Sequence, residues 1–201
     1  MFIAEGEDLV DSALAAGVEA VEVLVAGENV EPALLAEVST LGHPPRVIGV
    51  FRRSDLPREL PAVGLALWQV ADPGNVGTLI RSADAFGPAY VALSKASADP
   101  TGPKALRASA GSLFRVPLTD FERAPGERVA LVPRDGRPLA EIELGPAVLF
   151  VLGAEREGLP EEVLAQCEKR ATIPLAADVE SLNVATAGAI ALYELRRRGA
   201  A

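Results

Sequence analysis

The chain has 201 residues, 49% hydrophobic and 23% charged, with one cysteine, one histidine and a formal net charge of −9. That length builds one large or two small domains and buries a core without disulfide or metal. A lone Cys167 and a lone His43 exclude disulfide and His/Cys zinc frameworks, the 4% aromatic content disfavours stacking platforms for single strands, and the acidity argues against broad phosphate binding.

In chain order, residues 7–16 place apolar side chains at helical spacing and stop at Gly17, a good C-cap. Residues 21–26 are short and β-branched, which predicts a strand. A helix over 31–41 ends at Gly42, and 47–51 is a further strand. Segment 52–61, with Pro57 and Pro61 among mixed charges, reads as a linker and divides the chain into units of 1–56 and 57–201. The first 60 residues hold 11 acids and 4 bases, net −7, against −2 for the remainder, which leaves room for local basic patches after residue 60.

Residues 64–70 form an apolar strand, and a turn at 72–75 leads into a helix over 76–86 closed by Gly87. A strand at 90–93, a helix at 104–109 and strands at 115–118 and 129–132 follow. The run 148–152 is a fully apolar strand, and 160–167 is a helix with Pro160 near its first turn. A short strand at 171–174 precedes a last helix over 182–198, whose final arginines suit the helix dipole. Apolar strands alternating with helices predict an α/β fold with a mostly parallel sheet covered on both faces. Such sheets bind ligands at the carboxyl ends of their strands. No signal-peptide pattern and no uncharged run of ~18–20 residues is present, so a soluble cytoplasmic protein without a membrane partner is expected.

Three loops after apolar strands carry unusual residues. In the first, 72–81, Asn75 can cap the following helix and Gly77 permits close approach of a backbone or ligand. Arg81 stands alone there among small and apolar residues, either snorkelling or held near a substrate oxygen. The second, 152–160, is bounded by Gly153 and Gly158 around Glu155, and matches neither the dinucleotide nor the P-loop glycine pattern. The third joins Ile173-Pro174-Leu175 to Ser181-Leu182-Asn183-Val184-Ala185. Ser181 is a candidate N-cap, and the small residues after it imply a closely packed helix.

Taken in this order, N-x-G-x-x-x-R, G-A-E-x-x-G-L and I-P-L with S-L-N-V-A resemble the three motifs of the SpoU (TrmH) family of RNA ribose 2'-O-methyltransferases, within the SPOUT superfamily. The match runs from about Leu65 to Arg198. The resemblance implies an α/β domain with a C-terminal trefoil knot, working as a homodimer with the active site at the interface. It implies S-adenosylmethionine held by Gly153, Ile173 and Leu182, with Leu152, Pro174 and Leu175 lining the pocket. It makes Arg81 the catalytic group, with Asn75 orienting Arg81 or the ribose and Glu155 anchoring its loop or pairing with Arg81. Ser181 and Asn183 complete the wall. Because a guanidinium stays protonated, charge stabilisation by Arg81 is favoured over base action. The methyl donor is a sulfonium, so no metal is required.

The first segment resembles the small ribosomal-protein-like RNA-binding domain that precedes the catalytic domain in many members, with Phe2-Ile3-Ala4-Glu5-Gly6 as its first strand. The helix and basic residues that usually come before that strand are not found ahead of Phe2, and net −7 weighs against strong RNA affinity there. Arg52, Arg53, Arg58, Arg107 and Arg115 are candidate phosphate contacts, while His43, Trp68 and Cys167 read as structural. The resulting expectation is methyl transfer to a ribose 2'-hydroxyl, with ribosomal RNA favoured over transfer RNA. The alternatives are a non-catalytic knotted RNA-binding or ribosome-assembly factor, and a methyltransferase acting on another acceptor such as a base.

Overall fold

β-Branched and aromatic residues at the start of the chain build a small antiparallel sheet. In the computed structural model, which describes residues 1–199, β1 (Phe2–Glu5), β2 (Ala20–Val25) and β3 (Val47–Phe51) lie in the order β1-β3-β2. Helix α1 (Glu7–Ala15) presses Val10 close to Gly49 of β3, where any larger side chain would collide with the Phe51 ring. Helix α2 spans only Pro32–Val38, shorter than the 31–41 expected. The cause is Glu5, a buried carboxylate that accepts from Ser39 Oγ at 2.9 Å and from Thr40 N and Oγ1 at 3.1 and 2.8 Å. These bonds hold residues 39–40 out of the helix and satisfy a charge that could not otherwise be buried.

The second sheet has seven parallel strands in the order β6-β5-β4-β9-β7-β10-β8. They are β4 (Val63–Leu67), β5 (Tyr90–Leu93), β6 (Leu118–Asp120), β7 (Glu127–Leu131), β8 (Arg137–Pro138), β9 (Val148–Leu152) and β10 (Lys169–Thr172). The central strands are buried on both faces, as their unbroken apolar runs require. Leu65, Leu67, Val91, Phe150 and Leu152 face α3 (Pro73–Phe86), α4 (Pro103–Ser109) and α6 (Val184–Arg197). Ala66, Tyr90, Ala92, Leu149 and Val151 face Phe121 and Val163 of the short α5 (Glu161–Leu164), with Trp68 and Cys167 packed beside them. The structural readings of Trp68 and Cys167 hold: Trp68 meets Phe121 edge-on at 5.2 Å, and burial pushes the Cys167 thiol up.

Several boundaries differ from expectation for local reasons. Strand β4 stops at Leu67 because Gln69 adopts the left-handed region, φ 53°, and turns the chain off the sheet. Helix α3 starts at Pro73, three residues early, because Asp72 rather than Asn75 is its cap, accepting from Gly74 N at 2.8 Å. Residues Ser112–Phe114 form a 3-10 turn, and Arg115 keeps helical dihedrals, so the predicted strand at 115–118 begins only at Leu118. Helix α6 begins at Val184 because Asn183, not Ser181, caps it, accepting from Ala185 N and Thr186 N at 2.9 and 3.2 Å. Strand β8 has two residues, too short for any periodicity, and Pro138 is tolerated there because the strand lies at the sheet edge.

Glycines settle how closely the helices pack. A Cβ on Gly77 would overlap the Ala105 carbonyl of α4, and one on Gly188 would overlap Leu79 of α3. The small-residue stretch of α6 therefore serves contact with α3. The two sheets share apolar packing through Phe2, Phe51 and Phe114, whose ring centroids lie 5.7–6.2 Å apart. Strand β10 lies between β7 and β8. The chain reaches it from α5 on one face of the sheet and leaves it for α6 on the other.

Candidate active site

The carboxyl ends of β7, β9 and β10 open into a cleft of about 630 Å³. Its lining includes Leu152, Gly153, Ile173, Leu175 and Leu182, five of the six residues expected to hold a cofactor. Pro174 is the exception: it is exposed and does not line the cleft. Gly153 is required by close approach, because a Cβ there would overlap the Gly158 carbonyl group. Gly158, with φ 68°, closes the loop by donating to the Ala154 carbonyl at 3.0 Å. The amides of Leu175 and Leu182 meet no protein acceptor among the described residues. The cleft thus combines an aliphatic wall with free main-chain donors, and its volume lies within the ~300–1,000 Å³ common for small-molecule sites.

A continuous hydrogen-bond chain crosses the rim. Asn183 Nδ2 donates to Asn75 Oδ1 at 3.0 Å, and Asn75 Nδ2 donates to Glu155 Oε1 at 3.0 Å. The same carboxylate oxygen accepts from Asp72 N at 3.3 Å. One residue from each of the three loops is therefore locked to the next. Partial burial pushes the Glu155 carboxyl up, but the bonds from Asn75 and from nearby backbone amides outweigh it and hold the group below the usual carboxylate range. Asp72 also pairs with Lys104 Nζ at 2.7 Å, and the Lys104 bond together with the Gly74 amide keeps its carboxyl low.

Arg81 lies two turns into α3, exposed, with no ion pair or side-chain hydrogen bond among the described residues. The expected pairing of Glu155 with Arg81 is absent; Glu155 anchors its loop to Asn75 and Asp72 instead. Asn75 likewise bonds Glu155 and Asn183 rather than Arg81. Ser181 lines the cleft without capping the helix.

The candidate phosphate contacts divide by partner. Arg53 pairs with Asp99 at 2.5 Å, and Arg115 with Asp84 at 2.5 Å; Arg52 lies 3.9 Å from Asp55. Arg58 donates to the Ser54 carbonyl at 2.8 Å and Arg107 to Thr40 Oγ1 at 3.4 Å, with no carboxylate on either among the described residues. Arg58 and Arg115 also border a second concavity of about 600 Å³ between the linker and the end of α3.

Sequence reasoning missed Leu131, Val132 and Pro133 at the end of β7, which line the cleft. It also missed Lys104 beside the α3 cap. The strand-end position of 131–133 was the available signal, because ligands gather at the carboxyl ends of parallel strands.

A parallel sheet with a cleft at its carboxyl edge, closed by three loops that bond to one another, defines an α/β ligand-binding protein. Residues 62–193 match the SpoU rRNA Methylase family, and the chain belongs to it. It is 33% identical over 221 residues to the 23S rRNA (guanosine(2553)-2'-O)-methyltransferase RlmP of Bacillus subtilis, covering 97% of this chain and 88% of that protein. It is 35% identical over 188 residues to an uncharacterized tRNA/rRNA methyltransferase of Synechocystis sp., covering 87% of this chain and 67% of that one. It spans 31% of the length of a longer curated relative. Among solved structures, it superposes on the SpoU methyltransferase AviRb from Streptomyces viridochromogenes in complex with AdoMet. That match has a TM-score of 0.85 and 25% identity, covering 98% of this chain and 90% of that one.

Proposed function

We propose that this protein transfers a methyl group from S-adenosylmethionine to a ribose 2'-hydroxyl of RNA, with ribosomal RNA the favoured substrate. The observation that carries the reading is the Glu155–Asn75–Asn183 chain on the rim of the 630 Å³ cleft. It binds the three family loops into one site around an aliphatic pocket with free amides. That donor set fits S-adenosylmethionine: Leu131, Leu152, Ile173 and Leu182 suit an adenine ring, and the amides of Leu175 and Leu182 suit its nitrogens.

When bound, the donor supplies an electrophilic methyl on a sulfonium. The protein must hold the ribose oxygen in line with it and stabilise the charge that develops there. Arg81, which pairs with no carboxylate among the described residues, offers fixed positive charge and N–H donors for that oxygen. Glu155 is a poor proton acceptor, because it is held ionised by its donors and already accepts two bonds on one oxygen. Its role is positioning.

The C-terminal segment forms a trefoil knot in this reading. Supporting it, β10 runs between β7 and β8 while the flanking helices lie on opposite faces of the sheet. The protein acts as a homodimer that completes the site around Arg81. Tyr193 of α6, 54% exposed and edge-on to Phe86 of α3 at 5.8 Å, offers an aromatic patch for that contact. Residues 1–56 form the substrate-binding unit and 57–201 the methyltransferase unit, consistent with two separate sheets. Among the described residues, no helix is long and apolar enough to cross a membrane and no cluster of His, Cys, Asp or Glu could hold a metal. The test is calorimetric titration with S-adenosylmethionine, expected to give one site per subunit, followed by mapping of 2'-O-methylation on ribosomal RNA treated with the protein. Methyl found on a base or on no RNA would overturn the reading.

A further inference from the structure

Gln69 is one of three non-glycine residues with positive φ among those described. The conformation is held from both sides. Its own N–H donates to Ser94 Oγ at 2.9 Å, and Ser94 is buried and tied to Ser97, whose hydroxyl donates to the Leu67 carbonyl at 3.0 Å. Before it, Trp68 N donates to the Leu152 carbonyl at 2.8 Å; after it, the Val70 carbonyl accepts from Ala98 N at 2.9 Å. Left-handed backbone is unfavourable for a residue with a Cβ, and such strain gathers at functional positions. The side chain so displayed is exposed and meets no protein partner among the described residues.

Strand order places this amide. From the cofactor cleft at β7, β9 and β10, the next carboxyl-end loop is that of β4, residues 68–72, and the one after is that of β5. The β4 loop is bonded into the site at its far end, where Asp72 N meets Glu155. A nucleotide whose ribose met Asn75 and Glu155 would have the carboxyl-end loops of β4 and β5 next along the sheet. Those loops present Gln69 and then Lys95, an exposed cation without an ion pair among the described residues.

We propose that Gln69 is a specificity-determining residue that reads the edge of the target nucleobase, with Lys95 beside it on the RNA backbone. A primary amide carries a donor and an acceptor side by side, the pairing that distinguishes one base edge from another. The left-handed backbone fixes where that pair points. The inference rests on the RNA-methyltransferase reading above.

The test uses 16S and 23S ribosomal RNA transcribed in vitro to locate the methylated nucleotide, then four RNAs that differ only at that base. Gln69→Gly suits the backbone and deletes the amide; Gln69→Asn also tolerates left-handed φ and keeps the amide. The expected result for the glycine variant is a fall of roughly 10-fold in kcat/KM on the preferred base, little change on the other three, and unchanged S-adenosylmethionine affinity and melting temperature. The asparagine variant should recover part of the discrimination. Equal losses on all four bases, or no loss, would overturn the assignment alone. A wild-type protein that binds the donor but methylates none of the RNAs would overturn the functional reading and the assignment with it.

Discussion

Asn75 and Asn183 are 108 residues apart in the chain, yet the Nδ2 of Asn183 donates to the Oδ1 of Asn75 at 3.0 Å. Each does a second job. Asn75 uses its own N–H on Glu155, and Asn183 uses its carbonyl to cap α6. Both orientations follow from the network, since flipping either amide would set like groups against each other.

Breaking that link should show as coupling. Asn183→Ala removes a helix cap worth about 1 kcal/mol and also frees Asn75. Asn75→Ala frees Glu155. The two changes share one bond, so the double variant should lose less stability than the sum of the singles, by about 0.5–1 kcal/mol in a denaturant double-mutant cycle. Strict additivity would mean that the bond contributes nothing.

Arg81→Ala should lower the rate of methyl transfer by about 10²–10³-fold, the scale for losing an oxyanion-stabilising donor. Donor affinity should stay within a factor of two or so by calorimetry, since Arg81 does not line the cleft. Equal loss of binding and transfer would remove the catalytic role.

Gly153→Ala should abolish S-adenosylmethionine binding in a folded protein, because the new Cβ collides with the main chain of Gly158 and the loop must open. Gly188→Ala instead drives α6 from Leu79 and should cost stability by about 1–3 kcal/mol, read as a lower denaturation midpoint.

Salt dependence separates the arginines. Arg53 and Arg115 are held by Asp99 and Asp84, while Arg58 and Arg107 face no carboxylate among the described residues. Converting Arg58 and Arg107 to Ala should flatten the log–log salt slope of RNA binding by about 0.7–0.9 per contact. Converting Arg52 and Arg53 should change it less. The reverse order would place the RNA at Arg52 and Arg53 instead.

Glu194 predicts an acid-side stability change. The Arg197 and Arg198 guanidiniums, at 2.8 and 2.9 Å, hold its carboxyl at about 2, below its ordinary 4.5. A depressed carboxylate stabilises the fold above its unfolded value, and that contribution is lost as pH falls from 4.5 toward 2. The melting-temperature gap between wild type and Glu194→Gln should therefore be constant from pH 7 to 5 and close below 4.5. A gap that has not narrowed by pH 2.5 would exclude the linkage.

Much of this was readable from residue order. The unbroken apolar run Val148–Leu152, short and β-branched, reads as a strand buried on both faces, and the structure has it at the centre of the parallel sheet. Gly77 and the small residues after Asn183 announced close packing, and α4 and α3 supply the partners. Five of the six residues that the family resemblance pointed to for the cofactor line one cleft.

What stayed hidden was choice among equivalent local options. Ser181 and Asn183 are both competent caps; Asn183 is used because Asn75 holds its amide. Residues 39–40 could have continued α2, but a buried Glu5 from 34 residues earlier in the chain claims Ser39. Residue order alone set out the strands and the fold class, since hydrophobic periodicity is local, while the site candidates came from motifs that resemble a known family. Tertiary structure alone decided who bonds to whom, giving Glu155 to Asn75 rather than Arg81 and setting Gln69 in a left-handed turn, because those outcomes depend on groups that approach only after the sheet has formed.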